Sequence, residues 1–245
     1  MIDLSIVIPT IRTEGWYNVI SAIEKSCSKY SWEIIFVGPY YDSCIELYTN
    51  VKYVRDFGSP NRAQQIGLVL AEGKFVTCLV DDYDDGPNHI DAFLDIISET
   101  DEETVVIGNY DENGEIAVED FSVRHCYGGG SSVDPSWVIF NVVFLHRTFL
   151  EKMGGFDCSY NVTCFGHTDL AIRCQSYGCK VINANLKIGG VIWIRDTTGD
   201  HEPIHNNQVY RDQPMFNEKT SSPIETSIGM DNWKDSPPVW ERFVE

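Results

Sequence analysis

The sequence has no long hydrophobic run. A membrane-spanning helix needs about 18 consecutive apolar residues, and no segment of this 245-residue chain reaches that length. The best candidate, residues 137–145, is about half as long and contains Asn141. No basic region precedes the first apolar stretch. We therefore expect neither a transmembrane segment nor a signal peptide.

Basic residues are also scarce. Lys and Arg number 18 against 37 Asp and Glu, which gives a net charge of −19. A chain this acidic is repelled by a nucleic-acid backbone and by anionic lipid, so neither is expected as a partner. It can still bind an anionic nucleotide where a metal ion and a few arginines reverse the field locally.

The eight cysteines form no Cys-x-x-Cys pair and show no spacing typical of a zinc site. We expect free thiols in a reducing compartment, which favours a cytoplasmic location. At 43% hydrophobic and 12% aromatic residues, the chain can build a substantial core. Its length fits one domain, or one domain with a tail.

In the first half, short apolar runs alternate with segments of helical periodicity. Strands are expected at residues 4–9, 32–37, 51–55 and 74–80, with helices capped by Thr13, over 61–71 and around 90–97. This order predicts an α/β fold with a mostly parallel, doubly wound central sheet and helices on both faces. Ligands of such sheets bind beyond the carboxyl ends of the strands.

The second half is less regular. We expect a hairpin around residues 112–114 and a flexible loop over 128–132, followed by strands over 137–146 and 180–185 and helices over 148–153, from a Thr168 cap to Tyr177, and over 210–219. Polar residues and prolines after residue 196 predict a lid or an extended tail. The expected division is a domain over 1–220, with halves 1–110 and 111–220, and a tail over 221–245.

Four carboxylates close the fourth predicted strand: Asp81, Asp82, Asp84 and Asp85. Like charges this close repel one another, and more strongly near a low-dielectric sheet. Either they form a solvated turn, or a hard divalent ion such as Mg²⁺ or Mn²⁺ binds them. Because such ions commonly share a phosphate ligand, the second interpretation predicts a metal–diphosphate site.

Six segments in order add to this picture: 5–10 (Ser-Ile-Val-Ile-Pro-Thr), 61–75, 80–82 (Val-Asp-Asp), 154–157 (Gly-Gly-Phe-Asp), 166–173 (Gly-His-Thr-Asp-Leu-Ala-Ile-Arg) and 216–219 (Phe-Asn-Glu-Lys). Together they resemble the family-2 glycosyltransferases, which have the GT-A fold. The likeness covers about residues 3–220. It implies a metal-dependent, inverting enzyme that moves a sugar from a nucleoside-diphosphate sugar to a hydroxyl acceptor on a glycan, a lipid or a protein-linked sugar.

The resemblance also implies site residues. The donor would contact Pro9, Thr10, Arg12, Arg62, Asp81 and Asp82. A Mn²⁺ or Mg²⁺ ion would be held by Asp82, with His201 and His205 as further candidates. The acceptor would contact Trp137, Gly155 and Asp157. Arg62 could instead be a surface residue, the two histidines could be solvated, and Trp137 could belong to the core.

The catalytic base is open between two residues. Asp169 is the only carboxylate in its segment and is expected in the first turn of a helix. Counting back from Arg173, however, the family's base position falls on His167, whose ordinary pKa also suits a base. The chain thus departs from the usual Glu-Asp pair.

A second departure concerns the nucleobase. Gly38 and Pro39 stand where the family commonly has an acidic residue that contacts the base, so Tyr40 or Asp42 could take that part.

Two other functions remain open. One is a nucleotidyltransferase, although residues 8–12 do not form a glycine-rich phosphate loop. The other is a non-catalytic nucleotide- or sugar-binding module with a decayed site, which the irregular segment 166–168 favours.

Overall fold

A mixed sheet of eight strands runs through the computed structural model, which describes residues 2–112, 115–116, 136–191 and 202–243. Apolar runs buried on both sides form its central strands. The strands are β1 (Leu4–Pro9), β2 (Trp32–Gly38), β3 (Val51–Arg55), β4 (Phe75–Cys78), β5 (Thr104–Glu112), β6 (Glu115–Ile116), β7 (Val142–His146) and β8 (Lys180–Val191).

The strand order is β3-β2-β1-β4-β7-β5-β6, and β8 also pairs with β5. β1, β2, β3 and β4 run parallel, as do β5 and β8, whereas β7 is antiparallel to both β4 and β5. β1 pairs with β2 on one side and β4 on the other, with Leu4 opposite both Trp32 and Phe75. The carboxyl ends of β1, β2 and β4 therefore meet at one edge.

Helices cover both faces of this sheet. They are α1 (Trp16–Ser26), α2 (Pro60–Val69), α3 (His89–Ile97), α4 (Arg147–Met153), α5 (Thr163–Tyr177), α6 (Glu202–Asn207) and α7 (Gln213–Thr220). A π-helical turn, Gln208–Asp212, joins α6 to α7. Short 3₁₀ turns lie at Thr13–Gly15, Ser43–Leu47, Met230–Asp235 and Glu241–Phe243.

Alternation along β1 divides the core. Ile6 and Ile8 pack with α1 and α3 on one face, and Val7 packs with α2, α4 and α5 on the other. This is the period-two burial expected of a strand between two helical layers. The predicted α/β fold, with a mostly parallel sheet and helices on both faces, is confirmed.

Other predictions also agree with the structure. β5 and β6 form the expected hairpin, with Glu112 opposite Glu115. The cysteines within the described ranges are free thiols. None of the helices in those ranges is long and apolar enough to cross a membrane. The loop over 128–132 lies outside the described residues, as does His201.

The predicted strand over 137–146 was too long, because β7 begins only at Val142. The reason is a side chain that replaces a neighbouring strand. The Gln175 amide accepts from Val138 N at 3.1 Å and donates to Val138 O at 2.8 Å. These two bonds satisfy the backbone of Val138 without a continuous ladder.

The helix expected to begin at Thr168 begins instead at Thr163. Asp212 Oδ2 accepts from the backbone N–H groups of Asn161 and Val162, each at 2.8 Å, just before the first turn. Thr168 is interior, and its hydroxyl donates to Cys164 O at 2.9 Å. Asp169 therefore lies beyond the first turn, and the helix-dipole argument for it was wrong. Thr13 likewise does not cap α1, since a 3₁₀ turn with no side-chain cap precedes that helix.

Candidate functional site

Asp81, just beyond the carboxyl end of β4, is a heavily bonded carboxylate of the expected site. Its Oδ2 accepts from Thr10 Oγ1 at 3.0 Å, Ile11 N at 3.1 Å and Arg12 N at 3.2 Å. Its Oδ1 accepts from Arg12 Nε at 3.0 Å and also from Arg12 Nη2. The side chain is buried. The turn after β1 is therefore built around a carboxylate supplied by β4.

Arg12 offsets the charge of the acidic turn. Its Nη2 pairs with Asp81 and lies 3.7 Å from Asp82 Oδ2. Charge-assisted bonds of a guanidinium to a carboxylate are among the stronger hydrogen bonds in proteins. The like-charge conflict seen in the sequence is thus relieved, at least in part, by a residue of the chain itself.

A cavity of about 240 Å³ opens beside this turn, and we call it the donor cavity. Of the predicted donor residues, Pro9, Thr10, Arg12 and Asp81 line it. Residues that the sequence did not indicate also line it: Asp56, Thr163, Ile204, Trp240, Arg242 and Phe243. It lies where the topology predicts a ligand, beyond the carboxyl ends of β1, β2 and β4.

The departure at Gly38 has a steric cause. A Cβ atom at this position would lie 1.8 Å from Thr10 O, which no side chain tolerates. An acidic residue is therefore excluded here by the close approach of β2 to the β1 turn. Asp42, one proposed substitute, accepts from Cys44 N at 2.7 Å as the cap of a 3₁₀ turn.

Asp82 lines a different cavity, of about 340 Å³, on the α1 side of the acidic turn. Arg12 and Asp81 line this cavity as well as the donor cavity. The predicted metal ligand is thus a neighbour of the donor cavity rather than part of its lining.

Arg62 does not line the donor cavity. Its Nε lies 3.1 Å from Asp56 Oδ1, and its Nη1 donates to Trp233 O and, at 3.1 Å, to Ser236 O. The guanidinium also lies over the Trp233 ring, 5.0 Å from its centroid. Arg62 is buried and connects Asp56, which lines the cavity, to the C-terminal segment.

His167 lies in the core between α2 and Phe140. Its Nδ1 is 2.7 Å from Phe140 O, and its Nε2 is 3.2 Å from Gln64 Nε2. Because a carbonyl only accepts, Nδ1 must carry a proton, and the neutral ring then accepts from the Gln64 amide. Burial lowers the pKa of His167, which favours the neutral ring.

Asp169 forms an ion pair one helical turn from its partner, with its Oδ2 2.7 Å from Arg173 Nε. Arg173 also donates to Met153 O at 2.6 Å and to Gly155 O at 2.5 Å. Burial raises the pKa of the Asp169 carboxyl, and Arg173 opposes the rise. The pair therefore fixes α5 to the Gly-Gly turn.

Asp157 lies with Asp169 on a third cavity, of about 500 Å³. Lys219 Nζ bonds Asp157 Oδ2 and, at 2.8 Å, Ser159 Oγ. Burial disfavours the Asp157 carboxylate, but the Lys219 ammonium and the bonds from Ser159 outweigh this and lower its pKa. The Gly-Gly-Phe-Asp and Phe-x-x-Lys segments of the sequence thus meet in space.

The remaining candidates are more dispersed. Trp137 is half-buried and packs against a small cluster formed by Ile139, Tyr160 and their neighbours. His205 is exposed on α6, and the adjacent Ile204 lines the donor cavity.

The side chains of the described residues do not by themselves form a complete metal cage. Within the described residues, no group of three His, Cys, Asp or Glu side chains is placed to hold an ion. Mg²⁺, however, is commonly bound by one or two carboxylates together with substrate phosphates and water. The carboxylate of Asp82 beside the donor cavity fits that second kind of site.

Comparison with solved structures places this geometry in a known fold. S. aureus TarS, residues 1–349, superposes with a TM-score of 0.56 at 13% identity, over 74% of this chain and 57% of that chain. GalNAc-T7, solved with UDP, GalNAc and Mn²⁺, gives a TM-score of 0.58 at 16% identity, over 78% and 44%. Both are GT-A-type glycosyltransferases, and the chain has the GT-A glycosyltransferase fold.

The chain spans only about half the length of these two structures, 57% and 44%. No protein-family model matches the sequence, and no curated protein matches it.

Proposed function

We propose that the chain is a glycosyltransferase that transfers a sugar from a nucleoside-diphosphate donor to a hydroxyl acceptor, with inversion at the anomeric carbon. One observation carries the proposal. A cavity lies beyond β1, β2 and β4 of a GT-A fold, and its wall is a turn built around the buried Asp81. GalNAc-T7, which has the same fold, was solved with UDP and Mn²⁺.

The donor would lie against Pro9 and Thr10, with its diphosphate near Arg12. A guanidinium matches phosphate geometry and stays charged at every working pH. In a chain of net charge −19, this is how an anionic ligand can find a favourable local field. Arg62 would act indirectly, by orienting Asp56 at the cavity wall through a pair at 3.1 Å.

Asp82 would hold a divalent ion, Mn²⁺ or Mg²⁺, with His205 or His201 as further ligands. When bound, such an ion acts as a Lewis acid toward the leaving diphosphate. Asp81 would take hydrogen bonds from the donor only by exchanging some of those it receives from Thr10 and Arg12. Its part in the proposal is to orient the turn.

Asp169 is the proposed base. The acceptor oxygen attacks the anomeric carbon, the bond from that carbon to the diphosphate oxygen breaks, and the acceptor proton passes to the Asp169 carboxylate. Burial, which raises the pKa of Asp169, strengthens it as a base. The acceptor would occupy the cavity that Asp157 and Asp169 share. Gly155 is bonded to Arg173 of its lining, and Trp137 packs on the cluster that contains Ile172 of its lining.

A thermal-shift screen tests donor binding. UDP, GDP, ADP and CDP are added with and without Mn²⁺, and binding to the folded state raises the unfolding temperature. We expect one nucleotide to stabilise the wild type more strongly with Mn²⁺, and Asp82→Asn to lose that Mn²⁺ effect. Asp231→Asn, at an exposed residue away from the cavity, is the matched control. No shift with any nucleotide would overturn the proposal.

A second candidate function is a nucleotide-sugar-binding module without transferase activity. It is favoured by the contacts that both base candidates already make within the fold, His167 with Phe140 and Asp169 with Arg173. Release of the nucleoside diphosphate from a panel of its sugar donors separates the two. Turnover that Asp169→Asn abolishes supports the transferase, whereas binding without release supports the module.

A further inference from the structure

We propose that residues 236–243, here called the C-terminal strap, form a wall of the donor cavity and bind the nucleotide. Phe243 and Trp240 would contact the nucleobase, and Arg242 the diphosphate. This inference rests on the proposed function and adds to it a set of donor-binding residues. All three side chains line the donor cavity, as do Thr10 and Arg12 of the turn after β1.

The strap is attached to the nucleotide-binding half of the sheet at two places. At its start, Ser236 O and Oγ each lie 3.1 Å from Arg62 Nη1. Further along, Val239 forms a parallel bridge with Phe57, and Trp240 N donates to Phe57 O at 2.8 Å. This backbone pairing to the segment after β3 fixes the position of the strap along that segment. Trp240, Arg242 and Phe243 are thereby placed at the cavity.

An aromatic cluster surrounds Phe243. Its ring centroid lies 6.1 Å from Phe57, 6.4 Å from Trp240 and 6.5 Å from Tyr40, each in an edge-to-face arrangement. Flat rings that border a cavity suit a nucleobase, because every base has a π-face that stacks on aromatic side chains. These three neighbours hold the Phe243 ring in place. The Arg242 guanidinium lies over the same ring, 5.9 Å from its centroid, so a base that stacks on Phe243 would lie beside a cation.

Trp240 adds a polar contact to this wall. The residue is only 5% exposed, and its indole N–H has no hydrogen-bond partner within the part of the chain that the structure describes. Buried donors in folded proteins are nearly always paired, so an orphan beside a cavity indicates a missing acceptor. A base carbonyl or a ribose oxygen supplies one.

Arg242 places a second guanidinium on the donor cavity, in addition to Arg12. Asp56 and Asp81 line the same cavity, and Arg12 already pairs with Asp81. Arg242 therefore adds a guanidinium, whose geometry matches phosphate, to a cavity that also carries carboxylates. The strap thereby provides both kinds of contact that a nucleoside diphosphate needs, aromatic for the base and cationic for the phosphates.

Isothermal titration calorimetry of the full chain, in the presence of Mn²⁺, tests the strap. The nucleoside is the one of uridine, guanosine, adenosine and cytidine that the wild type prefers. It is titrated as the diphosphate, as the monophosphate and as the free nucleoside. Phe243→Ala should weaken all three ligands by about tenfold, because it removes stacking on the base. Arg242→Gln should weaken the diphosphate by about tenfold and leave the nucleoside within about twofold.

Two controls match these variants. Tyr210→Ala removes an exposed aromatic ring, and Lys234→Gln removes an exposed cation on the same C-terminal segment. Both should bind as the wild type does, and urea unfolding of each variant checks that the fold is retained. If Phe243→Ala and Arg242→Gln fold and bind with wild-type affinity, the proposal that the strap binds the nucleotide is wrong, and the proposed function is unaffected. Absence of any wild-type binding would overturn the proposed function itself.

Discussion

The Thr10 hydroxyl donates to Asp81 Oδ2 at 3.0 Å and accepts from Trp16 Nε1 at 2.9 Å. Trp16 in turn stacks on Phe36 of β2, with ring centroids 4.3 Å apart. One hydroxyl therefore connects the ends of β1 and β4 to a buried aromatic pair. Because each group fixes its neighbour, the turn that lines the donor cavity is preorganised before any ligand arrives.

Asp81→Asn should destabilise the fold. The amide nitrogen cannot accept, so some of the N–H and O–H groups of Thr10, Ile11 and Arg12 lose their acceptor. We expect the free energy of unfolding to fall by about 1–3 kcal/mol, as for other unsatisfied buried groups. Urea denaturation measures it.

The control for this variant is Asp84→Asn, which removes the same charge from an exposed residue of the same turn. It should change the free energy of unfolding by no more than about 0.5 kcal/mol. Equal losses in both variants would show that the charge of the turn, and not the bonds of Asp81, determines stability.

Gly154→Ala should cost more stability than Gly178→Ala. Both glycines end helices with positive φ, +84° and +104°. A left-handed conformation alone costs alanine about 1–2 kcal/mol. At Gly178 an added Cβ meets no atom of the described residues within 4 Å, whereas at Gly154 it would lie 1.9 Å from Ile228 O.

We therefore expect Gly178→Ala to lower the free energy of unfolding by about 1–2 kcal/mol. Gly154→Ala should lower it by the same amount plus about 1–3 kcal/mol for the steric clash. Urea unfolding of the two variants side by side measures the difference. If the two losses agree, the segment around Ile228 yields to the new methyl group, and its packing on the Gly-Gly turn is loose.

Arg62→Lys should loosen the C-terminal strap. A lysine keeps the charge but cannot bond Asp56, Trp233 O and Ser236 O with one planar group. We expect faster proteolysis within residues 236–243 and a loss of unfolding free energy of about 1–3 kcal/mol. Arg211→Lys, at a residue that is 43% exposed, is the control and should be cleaved at the wild-type rate. Unchanged proteolysis in Arg62→Lys would mean that the bridge through Phe57 holds the strap unaided.

The correct predictions came from local signals. β1 and β2 are apolar runs buried on both faces, and β5 and β6 pair antiparallel, with Asp111 opposite Ile116, as the hairpin pattern of the sequence predicts. Such features depend on residues close together in the chain, so a period of two and a turn dipeptide suffice to reveal them. The position of Asp81 at the sheet edge follows in the same way from topology.

The failed predictions depended on distant partners. α5 begins early, directly after Asn161 and Val162, whose backbone N–H groups donate to Asp212, 51 residues from Asn161. β7 is short because Gln175 is bonded to Val138, 37 residues away. A remote contact of the same kind, which the sequence also does not reveal, joins Arg62 to Ser236, 174 residues away. Each is a single side chain that satisfies remote backbone groups, and no local pattern of the sequence encodes such a pairing.

His167→Gln should flatten the pH dependence of stability. Burial lowers the pKa of His167 below its ordinary value of 6.5, so the folded chain keeps the ring neutral where the unfolded chain protonates it. The contribution is therefore complete above about pH 6.5 and is lost as the pH falls below it. His146, whose pKa burial also lowers, acts in the same direction.

Urea unfolding between about pH 5 and 7.5 measures the slope, which for one proton reaches at most about 1.4 kcal/mol per pH unit. We expect His167→Gln and His146→Gln each to remove part of the wild-type slope, and the double variant to remove more than either. A slope that His167→Gln leaves unchanged would mean that the ring titrates alike in the folded and unfolded chains. His167 would then be accessible to solvent, as a catalytic base must be, and the core contact with Phe140 would not hold the ring neutral.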